Sequence, residues 1–472
     1  VTGAISAVDS GVIRGNTGSL DVPSMTLNTS GQLRPAASFV HIRGPLTVRQ
    51  RSSVTHGLIV VDDAAEVIVD GLANFGEDAF TTVDTSTTMT AGVLELRGGL
   101  TLTSNTGSAG RCFAPDGMLV RFGAPGQNLP QTIQFSAAGP DKSRLDDVEV
   151  VSGTVTLGSN VWVTGHLQMQ DGARLVGSDV FYTTRLPFTD AGAYSVSRTH
   201  IAAPMDLTAQ TSPFVSPRLV VDTGVGQALV ADLELVGDVT ISGTLDMAGH
   251  ALDINGELLV QGGTTSLSGG ELHVTGGAQL TDAGSGIVVS GGTLRIDDDM
   301  TVTVQSTFVG LVMVDAADEA FIGGNLAFRD TNFSTGSSAG RLTAGTIRVG
   351  GNLIQAAATA SAGTGLVSTG SRIIMDGTGP QQITFGSSAP TQSYLHALTI
   401  ENPAGVTITS NLLVKSDLDI TGSAIINSAR TVTVDGALTL GPASTLDVRG
   451  TLIDGSCAAD PGATIIGAFI CD

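Results

Sequence analysis

Lysine, aromatic residues and cysteine are all scarce in this sequence. Lys142 and Lys415 are the only lysines, aromatics make up 4% of 472 residues, and there are three cysteines. With 22 basic against 44 acidic residues the formal net charge is −22. Such a surface repels phosphate backbones and anionic headgroups, which argues against a nucleic-acid binder. Few aromatics leave few platforms on which sugars could stack. No run approaches 18 apolar residues, so no transmembrane helix is expected. Charged residues are also few, at 14%, and mean hydropathy is +0.27. That composition is too apolar for a disordered chain despite its 62 glycines.

What the chain does have is a pulse. From Ala231 to Val304 apolar residues alternate in short bursts: Leu233/Leu235, Val239/Ile241, Leu245/Met247, Leu252/Ile254, Leu258/Val260, Leu272/Val274, Leu294/Ile296. Gly, Asp, Ser, Thr and Asn fill the gaps, as in Gly237-Asp238 and Ser290-Gly291-Gly292. Alternation within each burst is the period-2 signature of a strand with one buried face. The bursts recur too closely for a sandwich, whose turns come roughly every 8–12 residues. The pattern predicts a right-handed parallel β-helix (β-solenoid), all-β, with about 20 residues per coil. Gly-Gly pairs such as Gly262-Gly263 and Gly350-Gly351 are expected at corners needing positive φ. Region 176–230, with Phe181-Tyr182 and Phe188 to Tyr194, fits the pattern less well and is expected to bulge from the coils or cover a side.

A longer period overlies the pulses. Leu58–Asp62 matches Leu311–Asp315, and Thr90-Ala91-Gly92 matches Thr343-Ala344-Gly345, both at an offset of 253. Pro130–Phe135 matches Gln381–Phe385, and Ser159-Asn160 matches Ser410-Asn411. The expected organisation is an N-terminal extension 1–10 able to add as a strand to a neighbouring subunit, β-solenoid units 11–250 and 251–454, and a C-terminal cap 455–472. Duplicating part of a solenoid leaves the stacking unbroken, because each repeat contacts only its neighbours.

Cys457 and Cys471 bracket the last turn of the chain and read as a disulfide closing that cap, which implies an oxidising, extracytoplasmic compartment. Two reduced buried thiols are the alternative. Val1 is not an initiator methionine, as after removal of a secretory signal peptide or after simple trimming. Cys112, beside Arg111, is a candidate reactive or intermolecular thiol, or an ordinary buried one.

Strings such as Gly270-Glu271-Leu272-His273-Val274-Thr275-Gly276-Gly277 and Asp435-Gly436-Ala437-Leu438-Thr439-Leu440-Gly441 resemble the repeats of large secreted bacterial β-solenoids. These include haemagglutinin-like adhesins, autotransporter passengers and extracellular-matrix fibre proteins. The likeness covers most of the chain, but its motifs are structural. It implies a secreted or cell-surface location and a β-solenoid fold, and it supplies no catalytic motif.

For chemistry, the best placed residues are Glu234, Asp253, His273 and Arg295. They sit at burst midpoints 19, 20 and 22 residues apart and so are expected to form one exposed column. A carboxylate/imidazole site on a solenoid face is the functional reading, and a ladder of cross-strand polar pairs is the commoner structural one. Asp297-Asp298-Asp299 is the candidate for Ca²⁺, which takes six to eight oxygen ligands; a solvated corner is the commoner outcome. No cofactor and no catalytic residue are expected. The reading that results is an extracellular structural protein, not an enzyme: a subunit of a surface or matrix fibre that self-associates by end-to-end stacking. A monomeric adhesin or carbohydrate-binding rod is the alternative, with glycans or a cell surface as partner, and a polysaccharide lyase or hydrolase is the third choice.

Overall fold

A computed structural model describes all residues except 1–2, 8–10, 16–17, 30, 51–56, 78–83, 105–110, 184–188, 191–192, 203–213, 305–308, 331–336, 357–363, 468–469 and 472. Among the described residues there is no helix. The chain separates into two compact units, Val1–Val220 and Val221–Asp472. Each is a parallel β-helix: a strand pairs in parallel with its equivalent one coil earlier and one coil later.

The alternating bursts explain why. In the second unit Leu233 lies opposite Leu252, then Leu272, then Leu294. The same stack continues through Ala320, Ile347, Ile373, Leu398, Leu418 and Leu438. In the first unit Val40, Val67, Leu94, Val120, Val148 and Leu167 form the corresponding stack. All of these are buried. Each large aliphatic side chain removed from water contributes roughly 1.5–3 kcal/mol, so such stacks are the main source of cohesion.

Coil length departs from a uniform 20. The interval is 20 residues from Leu252 to Leu272 and from Leu398 to Leu418. It grows to 27 from Val40 to Val67, from Val67 to Leu94 and from Ala320 to Ile347. The strands keep their length, so the corners between them absorb the difference, and the inward stack stays in register.

Two segments are placed differently from expectation. Region 176–230 does not leave the ladder within its described part: Val180–Thr183 lies opposite Arg198–Ile201, past an irregularity after Gly177. Phe181 and Val196 are buried, and this apolar pair of positions holds the segment in the coil. Phe188 lies outside the described residues. At the N-terminus Ile5–Ala7 pairs with Met25–Leu27 of the same chain, and Ala7 is buried, so these residues join the first coil.

The glycine corners work by two mechanisms. His250, Gly270 and Gly292 each donate their N–H to the carbonyl three residues back, at 2.8, 2.8 and 3.1 Å. The central residues Ala248-Gly249, Ser268-Gly269 and Ser290-Gly291 all have positive φ, the type I′ geometry. In the pairs Gly262-Gly263 and Gly350-Gly351, only Gly262 has positive φ. Gly263, Gly350 and Gly351 are needed for another reason: an added Cβ would lie 2.3, 2.4 and 2.5 Å from the backbone one coil below. Close approach between coils, more than turn geometry, fixes these three.

The internal duplication extends to individual hydrogen bonds. The Ser159 hydroxyl accepts from Phe135 N at 2.6 Å, and Ser410 from Phe385 N at 2.7 Å. The Asn160 side-chain oxygen accepts from Val180 N, and that of Asn411 from Thr431 N. Ala65 N donates to Asp62 O and Asp318 N to Asp315 O. Gln381 is 2% exposed. Its Nε2 donates to Val349 O and Gly351 O, while its Oε1 accepts from Gly377 N. Gln131, with its amide oriented to satisfy both ends, donates to Leu96 O, the counterpart of Val349 O, and accepts from Gly123 N.

Leucine at position 381 would fill the space but remove the amide's bonds to Gly377 N and Gly351 O, at about 1–3 kcal/mol for each buried group left without a partner; Val349 O keeps its bond from Asp376 N. Gln381→Leu is therefore expected to lower the thermal midpoint of the second unit, and Gln131→Leu that of the first. Calorimetry of both variants checks this; midpoints matching the unaltered protein would show that the amides are dispensable.

Candidate functional site

Strand register brings the four column residues together. Glu234 lies opposite Asp253, Asp253 opposite His273, and His273 opposite Arg295. Period-2 alternation points them outward because Leu233 and Leu235, and their equivalents, point in. His273 Nδ1 is 3.1 Å from Asp253 Oδ1, and its Nε2 is 3.1 Å from Asp297 Oδ2. A neutral imidazole donates to one of these carboxylates, and only the protonated ring donates to both. Arg295 Nε donates to Asp297 Oδ1 at 2.9 Å, and Asn255 Nδ2 donates to Glu234 Oε1 at 2.9 Å. Burial alone would raise the Asp297 carboxyl. The hydrogen bonds and charges of His273 and Arg295 outweigh that and hold it below the ordinary aspartate value.

The column does not stop at Arg295. Phe321 follows in register, then Arg348, Ile374, Thr399 and Asp419. These escaped a reading by fixed spacing because the coil lengthens to 26 and 27 residues there. The bursts Ala320-Phe321-Ile322 and Ile347-Arg348-Val349 carry the same alternation and were the signal available. Around Phe321 the surface is hollowed into an open notch of about 190 Å³, with Arg295 and Asp297 at one end and Arg348 and Asp376 at the other. Arg348 Nη1 donates to Asp376 Oδ2 at 3.0 Å and to Glu401 Oε2 at 3.1 Å.

No protein-family profile, curated protein or solved structure matches the chain.

The first unit carries a different outward ladder. His41 Nε2 is 2.7 Å from Asp70 Oδ2, Arg97 Nη1 is 3.0 Å from Asp70 Oδ1, and Arg97 Nε donates to Glu95 Oε1 at 2.6 Å. Arg121 Nε donates to Glu149 Oε2 at 2.7 Å, and its Nη1 lies 3.5 Å from Glu95 Oε2. Glu95 and Glu149 are 5% and 7% exposed, so both carboxylates are spent on arginine and turned from solvent. A column beside it stacks Trp162 on Tyr182, ring centroids 4.8 Å apart and 17° from parallel, with His200 4.8 Å beyond. Tyr182 is thereby covered by rings on both sides.

The remaining candidates are placed as follows. Asp297 is committed to His273 and Arg295, and Asp299 Oδ1 accepts from Asn325 N and Nδ2 at 2.7 and 2.9 Å, so two of the three corner carboxylates already have partners. Among the described residues no group of three or more His, Cys, Asp or Glu is arranged to hold a metal ion. Cys112 is 1% exposed, with Sγ 3.5 Å from Ser143 Oγ, and burial closes it to an intermolecular partner. The backbone of Cys471 lies opposite Asp454 in the last strand pair, while Cys457 lies opposite Leu438. The Cys471 side chain is outside the described residues.

Asp454 is the polar residue the pattern did not single out. It occupies an inward position opposite Val434, 1% exposed, and among the described residues neither carboxylate oxygen has a partner at hydrogen-bond geometry. Burial pushes its carboxyl above the ordinary value, and the nearby backbone amides of Ser456, Leu438 and Gly455 offset this only in part. An unfolded aspartate ionises near about 3.9. The folded chain therefore keeps the proton to higher pH, and the cost of ionisation, absent below about pH 4, is complete once pH passes the raised folded value. Thermal stability of the second unit is expected to fall across that window as pH rises. Asp454→Asn should flatten the fall and raise the midpoint at neutral pH; calorimetry from pH 3 to 7 that finds the two proteins parallel would refute the assignment.

Proposed function

We propose that the chain is an extracellular structural protein, a β-solenoid subunit of a surface or matrix fibre that assembles by end-to-end stacking. One observation carries this reading. What the two units share is hydrogen bonding that joins one coil to the next: Gln131 and Gln381, Ser159 and Ser410, Asn160 and Asn411. What they do not share is the outward column. Ile68, Glu95, Arg121 and Glu149 in the first unit correspond to Phe321, Arg348, Ile374 and Thr399 in the second. Retention of the stacking devices with exchange of outward chemistry favours a scaffold role over one conserved catalytic face.

Stacking supports assembly for a physical reason. Each coil presents the next with the same row of backbone donors and acceptors, and an exposed row of this kind is a template for pairing with another chain. A head-to-tail contact that does not close propagates as a filament. The resemblance to secreted repeat proteins and a Cys457–Cys471 pairing would be consistent with a site of action outside the cytoplasm, and no catalytic role is proposed for the column. Phe321 and its notch favour a second property, saccharide binding, developed below.

Negative-stain microscopy over a concentration series tests the proposal. Filaments that lengthen with concentration are expected, and discrete particles of one length at every concentration would overturn it.

A further inference from the structure

Phe321 stands in register between two arginines, half-buried, on the outward face of the second unit. The notch around it is open because the column two residues further on carries Gly323 and Gly350 between Asp297 and Asp376. These glycines are imposed by the coil below: a Cβ on Gly323 would lie 2.3 Å from Asp297 O, and one on Gly350 2.4 Å from Gly323 O. Stacking thus forbids the side chains that would fill the hollow. Ile296 and Ile322 complete its lining.

The polar rim is held in place before any ligand arrives. Arg295 uses Nε on Asp297 and is 54% exposed, and among the described residues its two terminal nitrogens meet no hydrogen-bond acceptor. Arg348 uses Nη1 on Asp376 and Glu401. Each guanidinium is oriented by a carboxylate while further N–H groups remain to donate, and the carboxylates retain lone pairs to accept. Two guanidiniums set against Asp297, Asp376 and Glu401 leave no surplus positive charge, and the whole chain carries −22. An anionic ligand is disfavoured by this field, and a cationic one meets the two arginines first.

We propose that this notch is a subsite for a neutral pyranose. Such a ring has an apolar C–H face for Phe321 and a rim of hydroxyls that both donate and accept, matching arginine and aspartate on either side. A hollow of about 190 Å³ is smaller than the roughly 300–1,000 Å³ of drug-sized pockets, so it admits one ring. A single shallow contact of this kind binds on the order of millimolar. The subsite lies within the second unit and stands independently of fibre assembly. Repetition along a fibre would convert weak single contacts into avidity for a polysaccharide.

Saturation-transfer NMR and titration of the full chain test this, with the methyl glycopyranosides of glucose, galactose and mannose as probes and glucuronate and glucosamine as charged controls. At least one neutral glycoside is expected to bind. Phe321→Ala should weaken it about tenfold or more, Arg295→Gln about threefold, and Ile68→Val, at the equivalent position of the first unit, not at all. Circular dichroism checks folding; if Phe321→Ala fails to fold, Arg295→Gln on the exposed rim decides. Absence of binding by all three neutral glycosides at about 50 mM, binding undiminished in both Phe321→Ala and Arg295→Gln, or binding of glucuronate alone would overturn the proposal. Microscopy of the same preparation reads assembly separately, so failure of the fibre and failure of the subsite are distinguishable.

Discussion

Parallel pairing in register places every residue directly on its equivalent one coil away, about 4.8 Å distant, and the rest of this structure follows from that constraint. Inside, the rule demands like on like, and Leu252, Leu272 and Leu294 comply. Outside, like on like is costly for charges, so the ladders mix signs: Asp253 meets His273, and Arg121 sits between Glu95 and Glu149. At the corners successive backbones approach so closely that a Cβ is excluded, which is why Gly323 and Gly350 succeed one another, each built against the preceding coil.

The same constraint sets the terms for polar groups inside the coils. Gln381 is accepted in the interior because it closes three backbone hydrogen-bonding groups at once, and Asn402 donates from its Nδ2 to the same Gln381 Oε1 at 2.8 Å. A buried network of this kind rewards complete satisfaction and penalises anything less. Asp454 shows the other side: an aspartate at an inward position between Val434 and the backbone of Cys471 finds, among the described residues, no partner at hydrogen-bond geometry for either oxygen. Burial accordingly pushes its carboxyl above the ordinary aspartate value, and nearby backbone amides offset this only in part.

Much of this was legible in the sequence, for a definite reason. Period-2 bursts such as Leu233/Leu235 specify an inward face locally, without knowledge of the rest of the chain, and the offset of 253 between Thr90-Ala91-Gly92 and Thr343-Ala344-Gly345 ties distant segments together. The column from Glu234 to Arg295 could be written down because coils there are 19 to 22 residues long. It could not be carried to Phe321 and Arg348, since corner length is set by loops that carry no periodicity. The reason for Gly350-Gly351 was likewise hidden, because the atoms that exclude a side chain belong to Gly323 and Gly324 one coil below. Local pattern gives the strands, and non-local contact gives the meaning of the corners.

Duplication then separates what stacking requires from what it merely permits. Glu95 and Arg348 occupy equivalent outward positions with opposite charge, yet each is compensated, one by Arg97 and Arg121 and the other by Asp376 and Glu401. A charge can therefore invert at this face provided its neighbours change with it, and the inward stack registers nothing. Ile68 and Phe321 show the same freedom in apolar form. Because inward and outward residues alternate along one strand, the outward set can vary without disturbing the core that positions it. A face so decoupled from its scaffold can take on recognition chemistry at one coil while its counterpart remains a plain ladder, which is the difference between Phe321 between two arginines and Ile68 between His41 and Glu95.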